Sequence, residues 1–291
     1  EGEGRARALH RRRGRGGGWH GKLSGPGGTI RKATGPLVAG RAIVGGFAEG
    51  VKRAARPLAG AGRAPHHRAM SDRHKPQWEV EGRRWPLRAW SRFVRAGGID
   101  WHVQEHGAGP VCLLIHGTGA SSHSYRGLAP LLAERFRVVV PDLPGHGFTE
   151  TPRHVRPTLP MMAGLTGELL AQLEAAPALI VGHSAGAAVA LRLVLDGRAA
   201  PAGVVSLNGA LRPFRGAAGP LFSALAKALF LNPVAPRLFA LGARDRRRVA
   251  RLLEGTGSPL DAEGVALYQS LFMSPGHLAG TLAMMANWDL A

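Results

Sequence analysis

The stretch Ala178-Leu179-Ile180-Val181-Gly182-His183-Ser184-Ala185-Gly186 constrains the fold of this chain more than any other. A short apolar strand runs straight into Gly-x-Ser-x-Gly, and a small-residue helical run, Ala187 to Leu195, follows. A serine hydroxyl becomes a usable nucleophile when a tight strand-to-helix turn lifts it clear of the sheet and presents it to a base. Such a turn crowds the positions two before and two after the serine, and both are glycine, Gly182 and Gly186. Ala185, next after the serine, then offers its backbone N–H at a helix start, where a developing oxyanion is favoured. In a chain with 42 Gly the five letters alone are weak, and a glycine-rich turn in some other αβ unit is the rival reading. The strand before and the helix after favour the elbow.

Two upstream segments fit the same machine. Val111-Cys112-Leu113-Leu114-Ile115 is a continuous apolar run, suited to a strand buried on both faces, and it ends in His116-Gly117-Thr118-Gly119. A flexible turn there can supply a second oxyanion donor, and the Thr118 N–H is the candidate. The competing reading is a phosphate-cradling loop of the G-x-G-x-x-G kind, which lacks its third glycine here and the acidic residue expected at the ribose distance. Val138-Val139-Val140 likewise stops at Pro141 and turns through Asp142-Leu143-Pro144-Gly145-His146-Gly147.

In this order, His116-Gly117, Asp142 to Gly147 and Gly182 to Gly186 resemble the α/β-hydrolase superfamily. The resemblance implies an oxyanion hole at the first segment, a structural turn at the second and the nucleophile at the third, so that Asp142 is not the triad acid. Longer blocks are similar to the hydrolases associated with magnesium chelatase in photosynthetic bacteria. These are Glu81 to Pro86, Ser91 to Val94, His116 to Ser122, Gly182 to Ala187, Ser206 to Ala210 and Met284 to Asp289. That likeness implies a place in the magnesium branch of bacteriochlorophyll biosynthesis, and contact with the chelatase.

With 291 residues, 45% of them hydrophobic, the chain can bury a sizeable α/β core, and no apolar run approaches a membrane-spanning length. The single cysteine, Cys112, sits in an apolar strand and reads as a packed thiol; a reducing cytoplasm fits it. Thirteen histidines include no H-E-x-x-H and no paired Cys/His spacing, so no metal and no cofactor are expected. The net charge of +19 is concentrated at one end: residues 1–69 hold 15 Lys and Arg against 3 Asp and Glu. Nucleic acid is therefore not an expected partner. Residues 1–69 read as basic, low-complexity sequence, either disordered or lying ahead of the true start at Met70. A basic tail and a targeting peptide compete with that reading; the apolar run from Pro36 is broken by Arg41, against a secretory signal. Their deletion is expected to leave folding and activity intact.

From Met70 a hairpin over Arg92 to Gln104 precedes alternating strands and helices, the pattern of a mostly parallel sheet. Strands are expected at Val111 to Ile115, Arg137 to Val140, Leu179 to Gly182 and Val204 to Leu207. Helices are expected near Tyr125 to Ala133, Pro160 to Leu173 and Ala185 to Leu195. The expected organisation is an α/β-hydrolase core over 70–210 and a helical lid over 211–288, with helices at Leu221 to Leu231, Arg246 to Leu253, Ala262 to Phe272 and Leu278 to Asn287. The lid's apolar side would roof a pocket for a hydrophobic small molecule such as a porphyrin, although the same Met and Phe residues could simply pack the lid on the sheet.

One departure stands out. In the superfamily an acid and then a histidine follow the serine, yet His277 is the only histidine beyond Ser184, and it opens a helical run. Were it the base, Asp245 or Asp261 would be the acid. The alternative expectation is that the C-terminal strands and the catalytic histidine lie beyond residue 291, leaving the 291-residue chain inactive. Two functions from different classes then remain: serine-based hydrolysis or acyl transfer, and non-catalytic porphyrin carriage for the chelatase.

Overall fold

The computed structural model describes residues 74–290, except 153–155, 213–224, 226, 230, 231, 233 and 257–259. The expectations for residues 1–69 and for most of a helix over 221–231 lie outside the described residues. Six strands form one sheet: β1 (Ser91–Ala96), β2 (Ile99–His106), β3 (Val111–Ile115), β4 (Arg137–Pro141), β5 (Pro177–His183) and β6 (Gly203–Leu207). Their order across the sheet is β1-β2-β4-β3-β5-β6. β1 and β2 form an antiparallel hairpin, turned at Gly97 and Gly98, both of which adopt positive φ as a two-residue hairpin turn requires. β2 meets β4 antiparallel, and from β4 to β6 every pairing is parallel.

Helices α1 (Leu128–Ala133), α2 (Leu159–Gln172) and α3 (Ala185–Leu195) connect the parallel strands. Side chains alternate across a strand, so the all-apolar β3 feeds two cores at once. Leu113 and Ile115 face one side with Val139, Ile180 and the buried faces of α2 and α3. Cys112 and Leu114 face the other with Val138, Val140, Val181, Tyr125 and Ala129. Burial pushes the Cys112 thiol up to about 11, as befits a packed, inert sulfur. β6 is the last strand of the sheet among the described residues, with Val205 and Leu207 about two-fifths exposed.

After β6 come α4 (Ala235–Gly242), α5 (Arg246–Glu254), α6 (Ala262–Phe272) and α7 (Pro275–Ala286). Each of the last three starts at a side-chain cap: Asp245 accepts from the Arg247 N–H, Asp261 from Gly264 and Ser274 from His277. The helix at Ala235–Gly242 was not expected from sequence, and a proline in its first turn explains its start. Trp85, ahead of the sheet, and Phe148, in the loop after β4, join this layer by packing with Leu267 and Leu271 of α6. No helix of the described residues is long and apolar enough to cross a membrane.

Candidate active site

The strand order decides what meets at the rim. β4, β3 and β5 are neighbours and parallel, so the loops after Pro141, Ile115 and His183 emerge side by side at one edge of the sheet. Ser184 occupies the sharp turn between β5 and α3, at φ 50° and ψ −118°. A non-glycine residue there carries about 1–3 kcal/mol of strain, and three hydrogen bonds hold it in place. The Ser184 N–H donates to the Leu207 carbonyl at 2.9 Å, and its carbonyl accepts from Ala187 at 3.1 Å and Ala210 at 3.0 Å.

The flanking glycines are required by close approach. A Cβ on Gly186 would lie 2.1 Å from the Ile115 carbonyl oxygen, and one on Gly182 would lie 2.5 Å from the Ala187 Cα. A Cβ on Gly117 would sit 3.0 Å from the Ser184 Cβ, which brings the 116–119 loop against the serine. Beneath the turn, the Tyr125 hydroxyl donates to the Ile115 carbonyl at 2.8 Å, tying the end of β3. The Thr118 and Ala185 N–H groups enter no hydrogen bond among the described residues; Ala185 follows Ser184 in the chain, and Thr118 follows Gly117, the residue that lies against the serine. Ser184 itself is half-buried, and no described side chain is hydrogen-bonded to its hydroxyl.

His116 and Asp142 are buried and build the loops. The His116 Nε2 accepts the Leu143 N–H at 2.8 Å while Nδ1 donates to the Gly117 carbonyl, so the ring is neutral and links the 116–119 loop to the 142–147 loop. Burial lowers its pKa. The Asp142 carboxylate accepts from the N–H of Ser122 at 2.7 Å, from that of Phe148 at 3.0 Å and from the His102 Nδ1 at 2.9 Å. Burial by itself would raise this carboxyl; the facing His102 and His116 rings and the Phe148 amide outweigh it and hold Asp142 below the usual carboxylate range. Gly147, at φ 47°, passes so close that a Cβ would stand 2.1 Å from Asp142 Oδ2. Two of these partners lie in the adjoining loops and the third, His102, in β2, so Asp142 ties the loops to the sheet and acts on turn geometry.

The three residues considered for a late acid or base are engaged elsewhere. Asp245 and Asp261 cap helices, and Asp261 also pairs with Arg126 at 2.6 Å. His277 has both nitrogens occupied: Nδ1 accepts the Gly147 N–H at 3.0 Å, and Nε2 meets the Gly119 carbonyl at 3.1 Å. Burial lowers its pKa to about 3, the opposite of what a base working near neutrality needs. His277 is therefore no partner of Ser184, and sequence gave no signal of the two loops it joins. His183, beside the serine, is half-buried, and burial lowers its pKa too. Among the described residues no group of three or more His, Cys, Asp or Glu is arranged to hold a metal ion. A cavity of about 350 Å³ is walled by Pro144, Pro152, Pro236 and Pro275, with Arg237 and His74 at its polar side; Ser184 and Thr118 do not line it. The expected roofed pocket over the serine is thus not the cavity that α4 and α7 enclose.

A mixed sheet, parallel from β4 to β6, with a strained serine after β5, glycines packed against it and a glycine-rich loop after β3 defines an α/β hydrolase. This chain belongs to that family: the description "Alpha/beta hydrolase family" matches residues 112–289. It is 46% identical over 209 residues to the magnesium-chelatase 30 kDa subunit of Rhodobacter capsulatus, an alignment spanning 71% of this chain and 72% of that relative. An uncharacterized hydrolase of Saccharomyces cerevisiae is 37% identical over 117 residues, 40% of each protein. Among solved structures, the epoxide hydrolase CorEH without ligand superposes with a TM-score of 0.58 at 26% identity, covering 68% of this chain and 72% of the other.

Proposed function

We propose that this protein is a serine-nucleophile hydrolase or acyl-transfer enzyme of the magnesium-insertion branch of bacteriochlorophyll biosynthesis, acting on a hydrophobic carbonyl compound of the tetrapyrrole class. Its setting is the cytoplasm, beside magnesium chelatase. The observation that carries the chemistry is the strained backbone of Ser184, against which Gly117 packs; the Thr118 and Ala185 amides are the oxyanion donors in this reading. The pathway and the chelatase contact rest on the likeness to the Rhodobacter subunit. Ser184 Oγ would attack the carbonyl, a base from outside the described residues would take its proton, and the two amides would hold the oxyanion.

The second reading is a carrier that shields a porphyrin near the chelatase without chemistry. It is favoured by the lack of a histidine on the Ser184 hydroxyl among the described residues. Replacing Ser184→Ala in a strain that depends on this protein separates the two. Pigment lost while porphyrin binding persists supports chemistry; unchanged pigment supports the carrier.

A further inference from the structure

Helix α7 bears on the oxyanion loop through one face. His277, Gly280, Thr281 and Met284 fall at i, i+3, i+4 and i+7, and so line up along the helix. Gly280 lets the backbones touch, since a Cβ there would lie 2.1 Å from the Gly145 carbonyl. The Thr281 methyl stands 3.4 Å from the position a Gly119 Cβ would take. The Met284 sulfur accepts the Thr118 hydroxyl at 3.7 Å. His277 is fully buried and bridges the two loops, which lie far apart in sequence.

A backbone N–H can only donate, so the bond from Gly147 fixes Nδ1 as the acceptor. The ring proton then sits on Nε2 and points at the Gly119 carbonyl. Gly119 is the residue after Thr118 and adopts φ 76°, so the loop turns sharply at the carbonyl that His277 meets. We infer that His277 is a positioning residue: as a neutral Nε2–H imidazole it clamps the Gly119 carbonyl and thereby aims the Thr118 N–H toward Ser184. This rests on the acyl-transfer reading for its consequence, though not for its geometry.

The test uses the full chain with phenylboronic acid as the probe, which forms a tetrahedral adduct on an activated serine, read by boron NMR. Alongside it, backbone amide shifts of Thr118, Gly119 and Gly147 are followed. Glutamine carries an acceptor and a donor on one carbon, so H277Q should keep both bonds and bind boronate within about threefold of wild type. H277L should weaken the adduct by about tenfold or more and displace the three amides, because the oxyanion donor is no longer held. A leucine variant with unchanged amides and unchanged boronate affinity would overturn the inference. If wild type forms no tetrahedral adduct while H277L still displaces the Thr118 amide, the acyl-transfer reading falls and the clamp stands. Should H277L fail to fold, the wild-type imidazole decides: its nitrogen shifts must show Nε2 protonated and Nδ1 bare, and a proton on Nδ1 refutes the clamp.

Discussion

Acid should unfold this protein earlier than its carboxylates alone would require, and two histidines set the scale. Burial is the main cause that lowers both His123 and His277 to about 3. His123 is wedged between the Trp85 and Tyr268 rings with its Nδ1 on the Ser121 hydroxyl, and His277 is locked between two loops. In the unfolded chain each would titrate near 6.5, so below that pH the unfolded state binds more protons. The stability they contribute is complete above pH 6.5 and is lost as pH falls toward 3. At pH 5 the loss is about 2 kcal/mol for each ring and about 4 kcal/mol for both. Against a typical domain stability of about 5–15 kcal/mol this is a large fraction. His116 and His146, also lowered by burial, act in the same direction, as does Asp142 at still lower pH. Urea midpoints at pH 7.5, 6 and 5 should fall steadily, and H123F, which cannot titrate, should flatten the slope by about one proton. A midpoint that does not move between pH 7.5 and 5, or a His277 ring that titrates near 6.5 by NMR, would refute the reasoning.

Three further outcomes follow from particular contacts. Gly186→Ala should cost about 3 kcal/mol, since its methyl meets the Ile115 carbonyl where no side chain can yield; thermal melting reads it. Asp142→Ala should cost about 3 kcal/mol or more by orphaning the buried Ser122 and Phe148 amides, with faster hydrogen exchange at both positions as the signature. Ser184→Gly should abolish boronate adduct formation yet stabilise the fold by about 1 kcal/mol, because glycine accepts φ 50° freely; an unchanged or lower melting temperature would show that the serine is not strained.

What the sequence by itself determined is local. The strand-Gly-x-Ser-x-Gly-helix run dictates its own turn, because the two glycines and the serine lie within five residues and their packing is against each other and the adjoining strand. The apolar run at Val111 to Ile115 declares a strand buried on both faces for the same reason, and α3 and α6 begin and end at the residues that periodicity indicates. The caps at Asp245 and Asp261 were visible as acidic residues, but whether an acid caps a helix or serves a base depends on where the chain around it travels.

Only the tertiary structure decided the rest. Strand order β4-β3-β5 juxtaposes three loops that sequence merely lists in series, and without that order Gly117 has no reason to lie against Ser184. The partners of Asp142 include His102, 40 residues away, and those of His277 lie 130 and 158 residues away. No periodicity or spacing rule reaches across such separations, because the contacts exist only after β-pairing and the packing of α7 have closed the intervening loops. The histidine that sequence offered as a distant base thus becomes, once α7 is seated, a neutral brace between two loops.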